Sequence, residues 1–143
     1  MTSEQPGIDP QRHAEIVELV KRQPFLQLLG VEPLQLSPGY AKVRLKITDR
    51  LANAYAGLHG GAFSSLADTA MAQALRTLVG AGTRVATVEL NMTYLASVTE
   101  GEVLAEARIL RCGKTLAVGD VSLRDGGGKL LAKARLTYMI VAS

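Results

Sequence analysis

The chain has 143 residues, 48% hydrophobic and 20% charged, with a formal net charge of +3, which describes one ordinary globular domain with enough apolar mass for a core. An aromatic share of 4% without tryptophan excludes a base-stacking nucleic-acid platform, and the dispersed basic residues exclude a duplex-binding stripe while leaving a small polyanionic ligand open. Cys112 is the single cysteine, and His13 and His59 are far apart in sequence, so neither an intrachain disulfide nor a metal site is expected.

The polar N-terminus lacks the apolar core of a signal peptide, and no apolar run approaches the ~18 residues of a membrane span. A soluble, cytoplasmic protein that binds neither membrane nor nucleic acid is expected. Residues 1–8 read as frayed. Asp9-Pro10 reads as an N-cap followed by proline at the first helical position. Ile16, Leu19 and Val20 then recur at helical spacing to about Arg22. Phe25 to Leu29 adds a further turn, broken by Gly30 and Pro33. The chain divides into an N-terminal segment with a short helix, 1–24, and a single domain, 25–143.

Alternation begins at Tyr40–Thr48, where Ala41, Val43, Leu45 and Ile47 interleave with Lys42, Arg44 and Lys46 in a half-buried strand. A central helix is predicted over Gly60 to Val79, ending at Gly80 and Gly82 and about 30 Å long. Its apolar positions are Phe63, Leu66, Ala67, Ala70, Met71, Ala74, Leu75 and Leu78. From Arg84 the period becomes two. Val85–Leu95 places Ala86, Val88, Leu90, Met92 and Tyr94 on one face, and Thr87, Glu89, Asn91 and Thr93 on the other. Gly101–Cys112, Thr115–Arg124 and Lys129–Val141 follow, joined by turns at Cys112-Gly113-Lys114 and Asp125-Gly126-Gly127-Gly128. The pattern predicts an α+β domain in which a meander of four strands, with the earlier strand, curls round one long helix.

The stretch with the most chemistry is Asn53 to Thr69, NAYAGLHGGAFSSLADT. His59-Gly60-Gly61 opens the central helix, where unpaired amides and a partial positive charge gather. Asp68 lies two turns in, on a stripe with Ser64, Ser65, Thr69, Gln73 and Arg76. A carboxylate and a cluster of main-chain donors are the two groups that acyl transfer uses, one to attack or to activate water and one to hold an oxyanion. A thiolate leaves easily near neutral pH, so a thioester needs no Ser-His-Asp triad, and no Gly-x-Ser-x-Gly elbow is present.

Three pieces together resemble the hotdog fold and, within it, the phenylacetic-acid-degradation (PaaI-like) acyl-CoA thioesterases. They are Asn53 with Gly57-Leu58-His59-Gly60-Gly61 and Leu66-Ala67-Asp68-Thr69-Ala70, then Thr87 to Tyr94, then Gly113-Lys114-Thr115-Leu116. The resemblance implies hydrolysis of an acyl-CoA, aryl-acetyl or medium-chain, without a cofactor. It casts Asp68 as nucleophile or general base and the Gly60 amide as the group polarising the carbonyl. Asn53 and His59 orient the thioester or the water, and Thr87 positions water.

It also implies a homodimer with helices side by side under a continuous sheet, paired again into a homotetramer. Asp68 and Gly60 then come from different subunits. Arg111 and Lys114 are candidates for the phosphates of coenzyme A, with Arg84 and Arg135 weaker, while Glu89 and Asn91 reach across the dimer. The first helix would cap the acyl pocket. Two other readings are a non-catalytic acyl-CoA or lipid-binding hotdog module and a hydratase or dehydratase. A buried carboxylate is of no use to the first, and the resemblance places the histidine of the second elsewhere than ahead of the helix.

Overall fold

Where one face can be buried, alternating residues make strands, and the computed structural model, which describes residues 7–141, contains six of them. They are β1 (Val31–Ser37), β2 (Tyr40–Lys46), β3 (Arg84–Tyr94), β4 (Glu102–Cys112), β5 (Leu116–Asp125) and β6 (Leu130–Val141). The helices are α1 (Pro10–Arg22), α2 (Pro24–Leu29) and α3 (Gly60–Arg76). Residues 1–6 of the stretch read as frayed lie outside the described residues.

All strands join one antiparallel sheet in the order β1-β2-β4-β5-β6-β3. The expected four-strand meander is therefore corrected to β4-β5-β6, with β3 on the far edge beside β6. The connection after β3 crosses back over the start of α3, where the Leu58 N–H donates to the Val98 carbonyl at 2.8 Å. Alternation specifies a strand but not its neighbour. β1 is an addition: Pro33 hides it, yet a strand at a sheet edge tolerates proline, and the register slips there between Pro33 and Gln35.

The sheet curls round α3, whose Leu66, Ala67, Ala70, Met71, Ala74 and Leu75 are fully buried against Val43, Leu45, Val103, Val121, Leu123 and Leu136. This is the hotdog fold. The alanines allow close approach, and so does Gly119 on β5. A Cβ there would come within 2.5 Å of the Met71 sulfur and 2.8 Å of the Arg108 carbonyl oxygen. α3 stops at Arg76 rather than Val79. Thr77 caps it, with Oγ1 donating to the Ala74 carbonyl at 2.6 Å and accepting from the Gly39 N–H at 2.8 Å.

α1 packs Ile16 and Val20 into the same core. Asp9 occupies the N-cap position of α1, but its side chain makes no capping bond. Arg12 anchors the helix instead, donating from Nη2 to the Arg76 and Val79 carbonyls at 2.9 and 3.4 Å, while Nη1 bonds Glu15. A cation on the last carbonyls of α3 also meets the negative end of its dipole. Arg12→Ala should lower unfolding stability by about 1–3 kcal/mol, because charged donors to buried acceptors carry about that much. A urea titration measures it, and an unchanged midpoint would remove Arg12 from this role.

Candidate active site

Asp68 reaches the concave side of the sheet because α3 is amphipathic in an unusual way. Most of its surface is apolar, and the remaining stripe (Ser65, Asp68, Thr69, Ala72, Gln73, Arg76) faces a cavity of about 200 Å³. Gln23, Phe25 and Leu26 form the opposite wall, and Val85, Thr87 and Tyr138 complete it. Gln23, Phe25 and Leu26 lie just beyond the first helix, at the α1–α2 junction and on α2, and no residue of α1 lines the cavity.

Two hydroxyls hold one oxygen of the carboxylate. Thr87 Oγ1 donates to Asp68 Oδ1 at 2.8 Å, and the Tyr138 hydroxyl donates to the same atom at 2.5 Å. The Tyr138 oxygen also lies 2.9 Å from the main-chain carbonyl of Asp68. Burial, reinforced by the adjacent carboxylate, pushes the Tyr138 hydroxyl well above the ordinary phenol range, so it remains a donor. Oδ2 has no partner among the described residues.

Thr87 gets there through a β-bulge. β3 and β6 stay in register from Arg84 to Thr87, which faces Tyr138, and then resume with Glu89 opposite Thr137. Val88 is the extra residue, 54% exposed. One inserted residue inverts the side-chain alternation. Thr87 therefore shares the inner face with Leu90, Met92 and Tyr94, whose partners Leu136, Ala134 and Ala132 are buried. The expected grouping of Thr87 with Glu89, Asn91 and Thr93 is corrected. The latter three line a shallow outer cleft with Asp120, Lys133 and Arg135.

Asn53, His59 and Gly60 gather at the N-terminus of α3. His59 is its N-cap, and Nδ1 accepts from the Gly61 N–H at 2.8 Å. Asn53 Oδ1 accepts from the Tyr55 and Gly57 N–H groups at 2.8 and 3.1 Å, which folds the loop back so that the Gly57 carbonyl receives the Asn53 N–H at 2.7 Å. The Gly60 carbonyl takes bonds from Tyr94 at 2.9 Å and Ser64 at 3.0 Å, whereas its N–H has no partner among the described residues. Eight residues of helix separate Gly60 from Asp68, about 12 Å along the axis. Within one chain they cannot act on the same carbonyl.

Arg111 and Lys114 are exposed at the β4–β5 turn, where the Gly113 N–H donates to the Leu116 carbonyl at 2.8 Å, and neither lines the Asp68 cavity. Arg135 is paired with Asp120 at 2.7 Å. In sequence Tyr138 is one of the alternating residues of the last strand, and nothing in the spacing marks it as a site residue. Its available signal was a phenol hydroxyl on an otherwise apolar face, which must find a polar partner. Among the described residues no three His, Cys, Asp or Glu side chains converge as a metal would require, and no helix is long and apolar enough to cross a membrane.

Residues 55–132 match the profile of the Thioesterase superfamily. Human acyl-coenzyme A thioesterase 13 is 32% identical over 125 residues, covering 85% of this chain and 89% of the human protein. The solved structure of a conserved Pseudomonas aeruginosa protein superposes with a TM-score of 0.82 at 32% identity, over 89% of this chain and 98% of that one. The PaaI protein from the phenylacetic acid degradation operon of E. coli superposes with a TM-score of 0.87 at 21% identity, over 96% and 98%. That last likeness is one of fold.

Proposed function

The chain belongs to the Thioesterase superfamily, and from that premise we propose that it hydrolyses acyl-CoA thioesters, with Asp68 as the reacting carboxylate. Thioester hydrolysis follows from the family. The coenzyme A substrate and the residue roles are our reading. The observation that carries it is the carboxylate itself: Oδ1 is fixed by Tyr138 and Thr87, and Oδ2 is unpartnered at a cavity walled by Phe25, Leu26 and Val85. A pre-oriented carboxylate against apolar walls suits a base or nucleophile.

In the reaction, water adds to the carbonyl carbon and the C–S bond breaks, giving a free acid and the coenzyme A thiol. Asp68 either takes the proton of the attacking water or attacks the carbon itself. The oxyanion needs a donor, and the Gly60 amide at the α3 N-terminus suits that role. Because 12 Å or so of helix separates the two groups, the complete site would combine Asp68 of one protomer with Gly60 of another. The edge position of β3 supports such a dimer. Its outer edge pairs with no other strand among the described residues, and Val88 and Tyr94 on it and Leu95 just after it are 54%, 50% and 55% exposed. His59 and Asn53 would shape the loop that presents Gly60, and Arg111 and Lys114 would meet coenzyme A phosphates. The outer face of the sheet would pair dimers into a tetramer.

A volume of about 200 Å³ admits an aryl-acetyl or a medium-length acyl group. The test is thiol release from phenylacetyl-CoA and hexanoyl-CoA, followed with a chromogenic thiol reagent. Turnover of either is expected. Binding without release would instead mark a non-catalytic acyl-CoA-binding module.

A further inference from the structure

The cavity that holds Asp68 has a second charged group that thioester hydrolysis does not require. Asp68, Ala72 and Arg76 follow one another at successive turns of the α3 stripe, and all three line the cavity. Arg76 is half-buried, and its one side-chain hydrogen bond among the described residues runs from Nη1 to Gln73 Oε1 at 3.3 Å. Arg12, Arg22, Arg44 and Arg135 each sit against a carboxylate, whereas Arg76 meets none among the described residues. Burial depresses the Arg76 guanidinium; nearby Tyr138 opposes that shift, and the like charge of Arg12 adds to it. Gln73 is 1% exposed, and its amide nitrogen also has no partner among the described residues. One end of the cavity therefore holds donors and positive charge without an acceptor to satisfy them.

We propose that Arg76 is a specificity residue that binds a carboxylate at the far end of the acyl group, so that the preferred substrates are short dicarboxylic acyl-CoA thioesters. This rests on the acyl-CoA reading above. The geometry suits such a group at three points. Arg76 leans back along the helix to Gln73, three residues nearer Asp68. A six-carbon diacid spans about 6 Å between its terminal carbons, which fits within the ~12 Å separating the two residues on the axis. Phe25, Leu26, Ala72 and Val85 line the middle of the cavity with apolar surface for the methylenes. A planar guanidinium takes a carboxylate in a bidentate fork, and partial exclusion of water strengthens the pair.

The experiment compares adipyl-CoA with hexanoyl-CoA, which have equal carbon counts and differ in the terminal carboxylate. Wild-type protein should favour adipyl-CoA by about tenfold or more in kcat/KM, and Arg76→Gln should reduce that ratio by about 10- to 100-fold. The ratio cancels any loss of folding or of catalysis common to both substrates. Should Arg76→Gln not fold, Arg76→Lys carries the test: charge without the fork should lower the ratio severalfold. A wild-type preference for hexanoyl-CoA overturns the proposal, as does a ratio that Arg76 substitution leaves unchanged because both substrates suffer equally. Thiol release from hexanoyl-CoA but not adipyl-CoA overturns this inference alone. No release from any acyl-CoA overturns the hydrolase reading beneath it.

Discussion

Asp68→Asn should lower kcat on an accepted acyl-CoA by about 10²- to 10⁴-fold, the range that a positioned general base supplies. Asparagine is isosteric and keeps an oxygen that accepts from Tyr138 and Thr87, so the bonds that hold the side chain survive. What is lost is the charge and the unpartnered Oδ2, the atom proposed to react. Melting temperature and oligomeric state should therefore stay at wild-type values, and removing a half-buried charge can even raise stability. Purified variant and wild type, compared by thiol release and by thermal melts, give the answer. Near-wild-type turnover by Asp68→Asn would strip Asp68 of its role whatever the fold.

The second large effect concerns a single proton. Gly60→Pro deletes the Gly60 N–H and changes little else. Gly60 is the first residue of α3, where proline is well accommodated. His59 before it has φ −62° and ψ 137°, the extended conformation that a following proline demands. Loss of an oxyanion donor should cost about 10²- to 10³-fold in kcat. Gly60→Ala is the control: it retains the N–H, and its Cβ would meet the Tyr94 hydroxyl at 3.4 Å, close to ordinary contact. A folded Gly60→Pro protein with full kcat would mean that the oxyanion is held elsewhere. Because Asp68 and Gly60 are proposed to meet across protomers, mixing Asp68→Asn with Gly60→Pro should restore a fraction of the lost activity in the hybrid dimer.

Much of this architecture is legible from residue patterns. α3 announces itself through its apolar stripe, and β2, β4, β5 and β6 through alternation, because both periods reflect burial on one face. The order of the strands is not legible that way. β3 alternates much as β4 does, yet it is at the edge and β4 is central, since pairing depends on where the chain returns after α3. β1 escaped for a different reason: Pro33 reads as a terminator, and only an edge strand escapes that rule. Within the candidate site, Asp68, His59 and Gly60 stand out because they break an apolar or helical pattern. Tyr138 and Arg76 do not. Each sits where a core residue and a solvated helix face are expected, and only the three-dimensional packing turns both toward one cavity.

The bulge at Val88 makes the site depend on a count as well as on chemistry. Thr87 meets the carboxylate because one more residue precedes Glu89 on β3 than the opposing strand uses. Deleting Val88 would leave Thr87 opposite Tyr138 on a regular ladder, whereas pairing Val88 into the ladder would turn the threonine hydroxyl to the sheet's convex side without altering the order of aspartate, threonine and tyrosine. Relatives whose strand runs straight through this point with the same number of residues are thus where this constellation would come apart, and letter-by-letter agreement would not reveal it.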